Sequence, residues 1–266
     1  MSDKLDKLRK ATRIVVKVGT STLTHDSGNI NLRRVETLVR VIADLRHKGK
    51  EVVLVSSGAI GVGASKLGLP IERRGTKEKQ AYSAIGQSEL MGIYGRLFSE
   101  YGCSVAQILL TKNVLEDAVR KENAINTFQT LLGWGVVPIV NENDVISTEE
   151  IEFGDNDTLS AIVASLIGAQ ALIILSDIDG LYSSDPRTDE NAQLVRQVDE
   201  ITDELLRTAG GAGSKRGTGG MVTKLLAARH ATKHGVNMVI TNGEDPRTVY
   251  DILDGKRVGT LFCAKG

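Results

Sequence analysis

Two lysines stand in surroundings that suit phosphate chemistry. Lys17 lies in Ile14-Val15-Val16-Lys17-Val18-Gly19-Thr20-Ser21, a run rich in β-branched residues that carries one cation and stops at a glycine and two hydroxyls. A lysine is almost never fully buried without a partner, so it belongs where the strand leaves its sheet, with Gly19 letting backbone come close to a bulky ligand. The N–H groups of such a turn, with one ammonium, match phosphate oxygens. With a single glycine and neither Walker nor Rossmann spacing, an edge strand with a surface lysine fits this stretch equally well. Lys224 follows a second glycine-rich stretch, residues 207–220, which holds Lys215 and Arg216 and opens onto Met221-Val222-Thr223-Lys224-Leu225-Leu226. Backbone amides, helix dipole and ammonium all favour an anion there. A bare linker fits less well, because linkers rarely end in a helix start with a lysine so near.

Acceptor chemistry has its own candidates. Asn141-Glu142-Asn143-Asp144 follows an apolar strand, and such side chains accept from an ammonium and donate to a carboxylate, the head group of an amino acid. An Asx-rich turn bonding its own backbone is the plainer alternative. In Phe153-Gly154-Asp155-Asn156-Asp157-Thr158, Asp157 or Thr158 suits a helix N-cap. Capping needs one residue, which leaves others to face a pocket. Ser56-Ser57-Gly58-Ala59-Ile60-Gly61-Val62-Gly63 reads either as a loop whose backbone touches a ligand or as a glycine-rich helix start packed closely on a sheet.

These groups need a scaffold that brings distant segments to one edge. Apolar runs at 14–18, 51–55, 105–110, 136–140, 171–177 and 236–243 read as strands, most ending in small polar residues or glycine. Helical periodicity covers 32–48, 76–101, 122–134, 159–167 and 248–253. The long segment 76–101 is interrupted by Gly86 and Gly92; its Gln80, Tyr82, Gln87 and Tyr94 belong to an ordinary amphipathic helix, a subunit interface or a site wall. Residues 1–12 read as a basic, solvated lead-in or short surface helix, and Gly259-Thr260-Leu261-Phe262 as a tail. Strands alternating with helices predict an α/β fold, a mostly parallel sheet covered on both faces with ligands at the strand carboxyl ends.

Composition narrows the function. The chain has 266 residues, 41% hydrophobic and 25% charged, with a formal net charge of zero, which argues against a nucleic-acid surface and for small-molecule chemistry. Cys103 and Cys263 fit neither a zinc knuckle nor a CxxC pair and read as structural thiols in a reducing cytosol. No apolar run approaches the ~20 residues of a membrane span. A soluble, cytoplasmic protein is expected.

Taken together and in order, Lys17-Val18-Gly19-Thr20-Ser21, Ser56-Ser57-Gly58-Ala59-Ile60, Asn141-Glu142-Asn143-Asp144, Phe153-Gly154-Asp155-Asn156-Asp157 and Gly217-Thr218-Gly219-Gly220-Met221-x-Thr223-Lys224 resemble the amino acid kinase family over about residues 13–262. Within it they resemble most the branch that phosphorylates the γ-carboxylate of L-glutamate. The resemblance implies a three-layer αβα sandwich, ATP with Mg²⁺ held mainly by the nucleotide phosphates and by no protein ligand, and glutamyl 5-phosphate as product, the first step of proline synthesis. Lys17 and Lys224 would neutralise the transferring phosphoryl group, and Asp157 would orient them. Ser57, Asp144 and Asn156 would hold glutamate, with Gly58, Ala59 and Asp155 close by. Gly19, Thr20, Ser21, Ser176, Asp177, Thr218, Gly219, Gly220, Met221, Val222, Thr223 and Lys224 would contact ATP. Ser176 stands where threonine is also common. The resemblance further implies inhibition by proline, a homodimer or homotetramer, and hand-off to a glutamyl phosphate reductase. Residues 13–266 are expected to form one kinase domain without the C-terminal PUA (RNA-modification-type) domain that many bacterial members carry.

Overall fold

The computed structural model describes residues 3–25, 28–69, 75–111, 114, 116–146, 156–209 and 220–265. Among these, eight strands form one sheet: β1 (Arg13–Val18), β2 (Glu51–Ser56), β3 (Val105–Leu110), β4 (Val137–Glu142), β5 (Ala171–Ser176), β6 (Gln197–Val198), β7 (Asn237–Asn242) and β8 (Thr260–Phe262), in the order β3-β4-β2-β1-β5-β7-β8-β6. Every pairing is parallel except β7 with β8. The sheet is therefore mostly parallel, and its inner strands read as near-continuous apolar runs because both faces are covered, while β3 at the margin is only partly buried.

Helices form the outer layers. On one face lie α1 (Asp3–Arg9), α3 (Leu32–His47), α4 (Ala59–Leu67), α5 (Thr76–Glu100) and α10 (Thr248–Leu253), packed on Ile14, Val16, Leu54, Ile139 and Ile173. On the other lie α6 (Ala118–Gly133), α7 (Asn156–Leu166), α8 (Asp203–Ala209) and α9 (Met221–Lys233), packed on Val15, Val53, Val55, Leu172 and Ile174. The short α2 (Thr20–Leu23) follows β1 directly. Strand alternation gives Lys17 the same face as Val15, so its side chain is directed toward the layer of α7 and α9.

The connections create a topological switch point. From β1 the chain passes through α3 to β2 on one side; after β4 it returns through α7 to β5 on the other side of β1. The connections leaving the carboxyl ends of the adjacent strands β1 and β5 thus run in opposite directions, which opens a crevice for ligands there. Beside it, α4 crosses α5 with almost no space between the backbones. A Cβ added to Gly63 would stand 1.9 Å from the Tyr82 carbonyl oxygen. Gly63 and Gly86 are present because backbone occupies the place of their side chains.

Several boundaries differ from the sequence expectations. The segment 76–101 is one continuous helix, since Gly86 serves the crossing rather than a break. The Gly-rich stretch after β2 is helical from Ala59, the helix-start alternative, but its Gly63 packs closely on α5 and not on the sheet. The helix expected at 122–134 begins at Ala118, capped by Asp117, whose side chain accepts from the Arg120 amide at 3.0 Å. The expected tail contains β8, which turns back along β7 from Gly259 at φ +64°. Leu8 of α1 is fully buried, so the lead-in is anchored on the sheet's helical layer. Cys103 and Cys263 are buried free thiols. Among the described residues, no helix is long and apolar enough to cross a membrane.

Candidate active site

Lys17 is next to last in β1, and its buried ammonium meets Asp157 Oδ1 at 2.6 Å. Lys224, in the first turn of α9, reaches the other oxygen, Oδ2, at 3.1 Å. Asp157 is 0% exposed. Burial by itself pushes its carboxyl upward. The charges of Lys17 and Lys224, with their hydrogen bonds, outweigh that and hold it below the ordinary carboxylate value. One carboxylate therefore fixes two ammonium groups that come from elements about two hundred residues apart. Asp157 is not a cap: α7 starts at Asn156, so Asp157 sits in the first helical turn, where the helix dipole also favours its charge.

The nucleotide-side residues line the same end of the sheet. Gly19 is extended (φ −82°, ψ 166°) and leads into α2 with Thr20 and Ser21. A Cβ on Gly19 would lie 3.8 Å from Lys17 Nζ, within the space beside the ammonium where a ligand would approach. Ser176 closes β5, and its hydroxyl donates to Asp177 Oδ1 at 3.0 Å. Gly220 caps α9, and the Thr223 hydroxyl donates back to the Gly220 carbonyl at 2.6 Å. Met221 and Val222 stand half-buried in the same turn. Thr218, Gly219 and Asp155 lie outside the described residues.

On the β2 and β4 side the polar groups interlock. Asn156 Nδ2 lies 2.7 Å from Asn141 Oδ1, 3.0 Å from Ser57 Oγ and 3.0 Å from the Ser56 carbonyl. Two hydrogens serve three acceptors, so this amide is fixed in place and its own oxygen is directed away from the cluster. Asn141 Nδ2 donates to Gln87 Oε1 at 2.9 Å, and Ser56 Oγ lies 2.9 Å from Tyr94 OH. Burial lifts that phenol to about 12, against the opposing effect of the Ser56 hydrogen bond. Gly58 turns the chain with φ +95°, a conformation that L side chains rarely adopt, and so brings Ala59 and the start of α4 against the site.

Asp144 completes this wall. Its Oδ2 accepts from Ser83 Oγ at 2.6 Å. Burial raises its pKa above the ordinary carboxylate value, partly offset by that hydrogen bond. Among the described residues, Asp144 Oδ1 and Asn156 Oδ1 are buried without a hydrogen-bond partner. Buried acceptors seldom remain unpaired. Two of them, one charged, make a place for a ligand that brings N–H donors. Ser83 carries no signal in the sequence by type alone; its place with Gln87, Leu90 and Tyr94 at helical spacing on the buried face of α5 is what marks it. Of the residues singled out on this helix, Tyr82, Gln87 and Tyr94 are buried, and Gln87 and Tyr94 bond Asn141 and Ser56 of the site wall.

Comparison with known proteins agrees with this geometry. The family model described as the amino acid kinase family matches residues 12–242. The chain is 58% identical over 262 residues to glutamate 5-kinase of Clostridium perfringens, covering 97% of each chain. It is 52% identical over 264 residues to glutamate 5-kinase of Listeria innocua, covering 98% of this chain and 96% of that one. In fold it is similar to UMP kinase from Bacillus anthracis, with a TM-score of 0.63 at 19% identity over 96% of this chain and 97% of that one. An isopentenyl phosphate kinase gives a TM-score of 0.65 at 17% identity, over 94% and 99%. The chain belongs to the amino acid kinase family.

Proposed function

We propose that this chain transfers the γ-phosphoryl group of ATP to the γ-carboxylate of L-glutamate, giving L-glutamyl 5-phosphate, the first step of proline biosynthesis. The observation that carries this reading is the engagement of both Asp157 oxygens by Lys17 and Lys224. A glutamate side chain has a pKa of ~4.3, so at neutral pH the nucleophile is already ionised and no general base is required. What the reaction requires is alignment of two anions and stabilisation of charge on the phosphoryl oxygens. A carboxylate oxygen attacks the γ-phosphorus, the bond to the β,γ-bridging oxygen breaks, and ADP leaves.

Lys17 and Lys224 take the phosphoryl oxygens in this scheme, with Asp157 holding them at the correct separation. Ser57, Gly58, Ala59, Asp155 and Asn156 hold glutamate, whose ammonium is received by the unpaired oxygens of Asp144 and Asn156. Gly19, Thr20, Ser21, Ser176, Asp177 and residues 218–224 hold ATP. Further charge neutralisation comes from Mg²⁺ carried on the nucleotide's phosphate oxygens. Both Asp157 oxygens already meet ammonium groups, which suits a metal brought by the nucleotide rather than one held by this carboxylate.

The same reading takes proline as an inhibitor at the glutamate site, a homodimer or homotetramer as the assembly, a glutamyl phosphate reductase as the consumer of the labile product, and the cytoplasm as location. It treats residues 13–266 as one kinase domain. The test is ADP release with ATP and Mg²⁺ across L-glutamate, L-aspartate, N-acetyl-L-glutamate and no acceptor, with hydroxylamine trapping any acyl phosphate. Glutamate-dependent ADP release with matching hydroxamate supports the reading. Turnover on another acceptor alone overturns the substrate assignment.

A further inference from the structure

Asp144 raises a question of orientation. The terminal torsion of an aspartate is broad, so a buried carboxylate with one oxygen unpaired does not hold a direction by itself. Ser83 supplies the constraint. The residue is 3% exposed, and its hydroxyl donates to Asp144 Oδ2 at 2.6 Å, which leaves Oδ1 aimed where no protein donor among the described residues meets it. A serine within a helix often bonds the carbonyl one turn back. Here the hydroxyl is instead spent on a carboxylate across 61 residues of sequence.

The backbone under Ser83 is also fixed. Its neighbour Tyr82 presents the carbonyl against which Gly63 packs, and Gly86, one turn on, packs on Ala59 and Gly63. The hydroxyl is therefore delivered from a rigid part of α5 and not from a loop. We propose that Ser83 is the positioning residue that fixes Asp144 for recognition of the acceptor's α-ammonium group, and so sets selection for an amino-bearing dicarboxylate over the same dicarboxylate without the amino group. The inference rests on the glutamate kinase reading. Ser83 itself touches neither the acceptor nor the phosphoryl group in this account. It acts only through Asp144.

The experiment is a double-mutant cycle with Ser83→Ala, Asp144→Asn and both together in the full chain. It reads kcat, KM for L-glutamate, KM for ATP, and inhibition by glutarate as the amino-free competitor. Losing a hydrogen bond to a charged group should raise KM for glutamate roughly tenfold or more. The fall in kcat should be much smaller, with KM for ATP and inhibition by glutarate unchanged. In the Asp144→Asn background, Ser83→Ala should add less than about a twofold change, because two residues acting through one contact are not additive.

Additive effects, an unchanged KM for glutamate in Ser83→Ala, or a parallel loss of ATP and glutarate affinity would each overturn the assignment, the last by exposing general damage to the fold. Absence of glutamate-dependent turnover in the unaltered chain would remove the functional reading and this inference with it. Turnover with an unresponsive Ser83→Ala variant removes the inference alone.

Discussion

Gly63 and Gly86 occupy each other's side-chain space: a Cβ on Gly86 would stand 2.6 Å from the Gly63 nitrogen and 1.8 Å from the Ala59 carbonyl oxygen. The obstruction is backbone, which cannot rotate away as a side chain would. Gly86→Ala should therefore force α4 and α5 apart, costing on the order of 1–3 kcal/mol or more. It should also raise KM for glutamate by displacing Ser83 and Gln87. Gly92, on the same helix, has open space around its missing Cβ. Gly92→Ala should instead stabilise by up to about 1 kcal/mol through helix propensity. Urea unfolding midpoints of the two variants test the contrast.

Removing one ammonium from the Asp157 pair should act on the chemical step. By analogy with other charge-stabilising groups, Lys224→Ala or Lys17→Ala should lower kcat on the order of 10²–10³-fold. KM for glutamate should change far less. The opposite pattern, a large KM effect with kcat retained, would take the lysine out of the transition state. Initial-rate kinetics across glutamate concentrations at saturating ATP measures this.

Asp157→Asn should lower stability. It leaves two buried ammonium groups without the carboxylate that both engage. Removing one member of a buried ion pair typically costs roughly 3–5 kcal/mol. Thermal unfolding of the variant, compared at low and high salt, reads the loss.

The two buried aspartates give opposite pH signatures. The folded-state value of Asp157 is depressed, so its stabilising contribution is present above the unfolded value of ~3.9 and is lost as pH falls from there through the folded value. Asp144 is raised by burial, so between ~3.9 and its folded value the folded state binds the extra proton, and lowering the pH through that window stabilises the fold. The same protonation removes the acceptor for an ammonium. Glutamate binding should therefore weaken on mild acidification before the protein itself loses stability. Glutamate titrations and unfolding curves over the same pH series separate the two.

Proline carries an ammonium and a carboxylate but no γ-carboxylate to phosphorylate. Held by the same Asn141-to-Asp144 wall, it should raise the apparent KM for glutamate and leave the rate at saturating glutamate unchanged. Initial rates at low glutamate that ignore saturating proline would refute a shared site.

Much of the scaffold was legible because buried parallel strands write themselves as apolar runs, and all six of the longer strands were visible that way. Lys17, Asp157 and Lys224 were legible as residues out of place in their local settings, though their meeting on one carboxylate is a property of the sheet order. Other features were hidden for physical reasons. β6 has two residues and β8 three, too short for periodicity, and both exist through tertiary pairing. Glycines that looked like helix breaks or loop formers at Gly63 and Gly86 are contact residues, a distinction that depends on what lies opposite. Ser83 is legible only through its helical spacing with Gln87, Leu90 and Tyr94, because an ordinary serine gains its role from Asp144 sixty-one residues away.

The two ends of the sheet are unlike. At one end β6, two residues long, limits any further pairing; at the other β3 ends the order with six residues that pair with β4 on one side only among the described residues. Among the described residues, a two-residue strand at one margin and a six-residue strand at the other leave unequal lengths of edge backbone, the groups through which a further strand would pair. Amide exchange along Val105–Leu110 therefore reports directly on what the molecule does with that margin in solution, independently of any ligand at the crevice.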